Sequence, residues 1–82
     1  MDLEAQENKF TYEQCIENVG DNIVKELRKK KITQTKAAAE IGISPNTLSN
    51  YIHKVSGITV YNALLISDYF KIPLEDFLRK KL

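Results

Sequence analysis

Between Ile41 and Ile52 the chain reads I-G-I-S-P-N-T-L-S-N-Y-I, twelve residues without a charge although charged residues make up 28% of the sequence. A helix stop and a helix start fall within four residues of each other here. Gly42 suits the left-handed conformation that ends a helix. Ser44 suits an N-cap, and Pro45 falls on the first helical position, where its missing N–H costs nothing. The expectation is two short helices joined by a tight glycine turn, a helix-turn-helix over about residues 34–52.

The flanking residues extend this pattern. Thr11 and Gln14 have capping-box spacing, so a helix starts near Tyr12. Ile16, Val19, Ile23 and Leu27 then mark one helical face. Gly20-Asp21 leaves open one long helix or a slight kink. The cations Arg28 to Lys31 suit the negative end of the helix dipole near Lys30. Thr33 or Thr35 caps the next helix, through Lys36, Ala37, Ala38, Ala39 and Glu40. Residues Pro45 to about Ile52 form a third helix, Val55 to Thr59 a loop, and Val60 to Phe70 a fourth helix. Lys71-Ile72-Pro73 interrupts, and Leu74 to Leu82 forms a last helix with Phe77 and Leu78 turned inward. Strand signals are nearly absent. The predicted class is all-α, a compact bundle of four to five helices with an N-terminal helical extension. Residues 1–10 are expected to be a frayed acidic leader to one domain over 11–82.

Composition narrows the function. Hydrophobic residues at 43% suit a packed core. The net charge of +1 conceals an asymmetry: residues 1–22 carry a net −5 and residues 23–82 a net +6. An acidic leader before a basic body can mark a nucleic-acid partner, although an ordinary mixed surface gives the same sum. Cys15 is the single cysteine, which excludes an internal disulfide and a cysteine-based zinc site and fits a reducing, cytoplasmic setting. It reads as a packing residue. No apolar run approaches the roughly 20 residues of a membrane span, and M-D-L-E-A-Q-E-N lacks the basic-then-apolar order of a signal peptide. His53 has no metal-ligand companions, Ser44, Ser49 and Asp68 form no catalytic set, and no glycine-rich phosphate loop exists. We expect no enzyme, no metal, no cofactor and no small-molecule substrate.

The stretch I-T-Q-T-K-A-A-A-E-I-G-I-S-P-N-T-L-S-N-Y resembles the helix-turn-helix of phage-repressor and Cro-like (XRE-type) regulators. Thr33-Gln34, Ala38, Gly42, Ile43-Ser44 and Thr47-Leu48-Ser49 occupy that family's characteristic places. The resemblance runs from Gly20 to Leu78, whose last element ends in L-E-D-F-L. Three features depart from it: Ala37 where leucine is usual, Ile52-His53-Lys54 in place of an E-x-G step, and the extra leader.

The resemblance implies a helix from Ser44 entering the major groove of double-stranded DNA. Asn46 and Asn50 would read bases, since an asparagine amide can pair bidentately with adenine. Pro45 and Thr47 would touch a thymine methyl, and Ser49 would donate or accept. Gln34 matches the family's phosphate-clamping glutamine. Thr33, Lys36, Ser44, Tyr51, His53 and Lys54 lie where backbone contacts are expected. Arg28 to Lys31 add long-range attraction or simply cover a solvated surface. The bland reading of Asn46 and Asn50 is that they are ordinary exposed helix residues. With no Arg or Lys on the recognition helix, A·T-leaning half-sites are expected.

The fourth helix carries a second stripe. Val60, Ala63, Leu64, Ser67 and Phe70 read as its inward face, leaving Tyr61, Leu65 and Tyr69 to point elsewhere. That stripe would be covered either by the leader, through Phe10, Tyr12 and Ile16, or by a second copy in a homodimer. The leading functional expectation is a sequence-specific regulator, a repressor, encoded by a bacterium or phage. The alternative is a protein-interaction module such as an antitoxin or anti-repressor partner, and a third reading is a DNA-binding fragment of a longer chain.

Overall fold

A computed structural model describes residues 9–82, and they form five α-helices with no strand among them. These are α1 (Tyr12–Lys30), α2 (Gln34–Ile41), α3 (Pro45–Ile52), α4 (Val60–Phe70) and α5 (Leu74–Arg79). The all-helical expectation therefore holds. The expected leader lies for residues 1–8 outside the described residues.

Local chemistry sets each boundary. Thr11 and Gln14 complete the capping box, with the Thr11 N–H donating to Gln14 Oε1 at 2.9 Å and the Gln14 N–H to Thr11 Oγ1 at 3.1 Å. The helix continues through Gly20-Asp21 as one element. It ends in its cationic last turn, with Lys31 left-handed at φ 56°. Thr33, not Thr35, caps α2, accepting from the Lys36 N–H at 3.1 Å. Thr59 caps α4 in the same way through Asn62.

The core forms where these helices meet. Val19, Ile23 and Leu27 from α1 pack with Ala37, Ala38, Leu48, Tyr51, Ile66, Phe70 and Phe77. Cys15 lies partly buried against this cluster, and partial burial pushes its thiol above the ordinary value. Ala37, where the family usually has leucine, is fully buried despite its size.

Gly20 is needed for close approach. A Cβ there would stand 2.9 Å from the Tyr51 carbonyl oxygen and 3.1 Å from that of Ile52. The backbone of α1 therefore lies directly on the last turn of α3.

Two expectations need correction. The last helix stops at Arg79 instead of Leu82, and Lys80 is extended. Buried amides from α1 claim the departing strand of backbone. Asn18 Nδ2 donates to the Leu78 carbonyl at 3.0 Å, and Asn22 Nδ2 to those of Phe77 at 2.9 Å and Lys80 at 2.7 Å. Asn22 Oδ1 accepts from the Leu82 N–H at 2.8 Å. Tertiary bonds replace the helical ladder there.

The inward face of α4 is also rotated from its expected position. Ala63, Ile66, Ser67 and Phe70 are buried, whereas Val60 and Leu64 are 75% and 42% exposed. Ile66 is fully buried and turns the stripe, leaving the first turn of α4 beyond the edge of the core. Of the second stripe, only Tyr61 is strongly exposed, at 69%. Leu65 is half-buried. Tyr69 packs edge-on against Phe70 with centroids 5.1 Å apart, and its hydroxyl donates to Glu40. That bond pushes the Tyr69 phenol above its ordinary value.

Candidate nucleic-acid interface

The glycine turn is built as its residues require. Gly42 adopts φ 95°, and the N–H groups of Gly42 and Ile43 both reach the Ala38 carbonyl, at 2.9 and 3.1 Å. A Cβ at Gly42 would meet nothing within 4 Å. The residue is required for its left-handed backbone alone. Ile43 packs against the core, and two residues later α3 begins.

At the start of α3, Ser44 Oγ accepts from the Thr47 N–H at 3.0 Å and lies 2.8 Å from Thr47 Oγ1. At its end, His53 Nδ1 lies 2.9 Å from the Ser49 carbonyl and 3.2 Å from its hydroxyl. Leu48 and Tyr51 face the core. The opposite face exposes Pro45 and Asn46, with Thr47, Ser49 and Asn50 half-exposed. All five expected base readers thus share the outward side of one short helix. Asn46 and Asn50 stand one turn apart. Their amides take no part in the side-chain bonds of α3, so each keeps a donor and an acceptor available.

The expected phosphate set divides into two groups. Thr33, Gln34, Lys36, Ser44 and His53 are exposed along the start of α2 and the two ends of α3. Tyr51 is different: it is only 4% exposed, and its hydroxyl accepts from Asn62 Nδ2 at 2.7 Å. It is a core ring with a satisfied polar end.

Lys54 is engaged elsewhere too. Its ammonium lies 2.9 Å from Glu17 Oε2 and 2.8 Å from Asp21 Oδ1, both on α1. Lys81 adds a second contact to Asp21 at 3.4 Å. Sequence reasoning missed this cluster. The signal was present in Glu17 and Asp21, four residues apart on one face of α1, but nothing local indicated a partner 33 to 37 residues away.

The cluster has a pH signature. Lys54, and then Lys81, hold the Asp21 carboxyl below its ordinary value. Asp21 and Glu17 hold Lys54 above its own. A depressed carboxyl stabilises the fold above its unfolded value and loses that contribution as pH falls through the folded one. The raised lysine contributes below about 10.4 and loses its share as pH rises through its folded value. Asp21→Asn should therefore lower the urea midpoint at about pH 6, and the gap should shrink as pH falls below the ordinary carboxylate range. A gap that stays constant as pH falls would mean that Asp21 acts through packing.

Two helices at a glycine turn, a capped second helix and an outward row of amides and hydroxyls define a recognisable unit. The helix-turn-helix family model matches residues 24–77, about two-thirds of the chain. The chain belongs to the phage-repressor, Cro-like helix-turn-helix family. It is a DNA-binding regulator of that kind, a class that is typically not enzymatic. No curated protein and no solved structure matches it. The family match begins at Val24, inside α1, so Tyr12 to Ile23 precede it. Among the described residues, no helix is long and apolar enough to cross a membrane.

Proposed function

We propose that this protein is a sequence-specific repressor that places the N-terminal end of α3 in the major groove of double-stranded DNA. The observation that carries this reading is the pair of unengaged amides, Asn46 and Asn50, on the exposed face of a capped helix. Pro45, Thr47 and Ser49 complete the base-facing row. Gln34, at the start of α2, and its neighbours Thr33 and Lys36 serve the phosphate backbone, joined by Ser44 and His53. The four cations Arg28 to Lys31, all exposed, add long-range attraction. A bacterial or phage cytoplasm is the setting that fits.

The protein acts as a homodimer. Val60, Tyr61 and Leu64 expose apolar side chains on the first half of α4, and Val55, in the loop before it, is 72% exposed. This cluster shifts the proposed two-fold surface toward the first turn of α4, with Leu65 and Tyr69 at its margin. Selection of bound duplexes from a random pool tests both parts of the proposal. An A·T-leaning palindrome with half-sites about 34 Å apart is the expected result. Sedimentation equilibrium at micromolar concentration checks the dimer, and a monomer with and without DNA would refute it.

The same exposed cluster is the one observation that favours a protein-interaction module instead. Indifference to any duplex at low salt would support that reading.

A further inference from the structure

We propose that Glu17 and Asp21 set the strength and salt dependence of DNA binding by holding the Lys54 ammonium away from the phosphate backbone. This inference rests on the DNA-reading function proposed above. Lys54 stands two residues beyond α3, at the exit of the helix assigned to the groove. Its backbone is left-handed at φ 63°, an uncommon conformation for a residue with a side chain. That conformation accompanies a side chain laid back on α1, where it is 31% exposed and meets two carboxylates.

The arrangement is held from several directions. Gly20 lets α1 lie against the Tyr51 and Ile52 carbonyls and the Lys54 side chain. Glu17, three residues before Gly20, and Asp21, immediately after it, reach the same ammonium. Tyr12, near the start of α1, places its hydroxyl where any side chain at residue 57 would have to go. The capping box at Thr11 fixes the beginning of that segment. All four α1 residues precede the family match. The N-terminal part of α1 thus directs a pair of anions at a cation beside the reading helix.

The physical consequence concerns the non-specific term. Binding to random duplex is almost entirely electrostatic, and each phosphate neutralised by a free cation steepens the salt dependence by about 0.9. A lysine already paired with two carboxylates makes no such net contribution. Base contacts from Asn46 and Asn50 do not depend on Lys54's charge. Withholding one cation therefore weakens binding to every duplex by about the same factor and leaves the base contacts intact.

The test is a double-mutant cycle between Glu17→Gln/Asp21→Asn and Lys54→Gln in the full chain. Each protein is titrated with salt on a random duplex and on a duplex selected by the wild-type chain. Freeing Lys54 should steepen the salt slope by about one and tighten random-duplex binding about tenfold at 50 mM salt. Binding to the selected duplex should tighten by a similar factor, so the specific-to-random ratio should hold. With Lys54→Gln also present, these gains should disappear. Equal tightening in both backgrounds would mean that the carboxylates act through net charge alone, and an unchanged slope would mean that Lys54 is not withheld. Either result overturns the proposal. The single Glu17→Gln, which leaves Asp21 its Lys81 partner, should show the same sign at smaller size if the double variant folds poorly. Failure of the wild-type chain to bind either duplex at low salt would instead overturn the DNA-reading function, a result visible in that arm alone.

Discussion

Replacing Asn22 with alanine is expected to destabilise the fold by about 2–4 kcal/mol, the sum of three hydrogen bonds lost together. The thermal midpoint should then fall by roughly 10–25 °C for a domain of this size. Asn22 is 1% exposed and makes all three bonds to the backbone that leaves α5. Removing the amide leaves the Phe77 carbonyl without its tertiary partner and frees the chain from Lys80 to Leu82. Asn22→Asp separates the parts, because a carboxylate keeps the acceptor for the Leu82 N–H but cannot donate to the two carbonyls. It should be at least as damaging as alanine at neutral pH. Urea unfolding of the three proteins would check this, and an alanine variant within about 0.5 kcal/mol of wild type would dismiss the clasp as a stabilising device.

The second large effect is expected on recognition. Asn50→Ala should weaken binding to the selected site by about 1–3 kcal/mol, roughly 5- to 150-fold, and relax base preference at one position. Binding to random duplex should change little, since an uncharged amide adds nothing to counterion release. Gln34→Ala should instead weaken both duplexes alike. The contrast matters because Asn50 is half-exposed and Gln34 fully exposed, so neither substitution disturbs the core. Competition binding on the two duplexes measures it. Equal losses for Asn50→Ala on both would assign that residue to the backbone rather than to a base.

The helix-turn-helix was legible because its determinants lie within a few residues of each other. Gly42 needs a left-handed backbone, Ser44 and Thr33 bond N–H groups three residues ahead, and Pro45 needs no donor. None of these depends on a distant partner. The outward row on α3 followed from helical spacing once Leu48 was turned inward. The same spacing could not choose between Tyr51 and Ile52. The structure buries the Tyr51 ring almost completely and leaves Ile52 half-buried, because Asn62 on α4 satisfies the hydroxyl.

The misread face of α4 has a similar cause. Its apolar residues surround the helix, so periodicity alone could not rank Val60 and Leu64 against Ile66. Burial there depends on α2 and α5, the helices that α4 packs against. Thus the polar face of α3 was readable in advance, and the apolar surface proposed for dimerisation was only roughly so.

What the sequence determined by itself is the set of helices, the Thr11 and Ser44 caps and the turn between α2 and α3, because caps and periodicity act over three or four residues. Only the tertiary structure decided the rest. It placed Asn22 on backbone 55 to 60 residues away, turned Ile66 inward on α4, and brought the Lys54 ammonium onto Glu17 and Asp21. Each of those outcomes is a meeting of groups far apart in the chain, and the close approach of α1 to α3 at Gly20 sets the last of them.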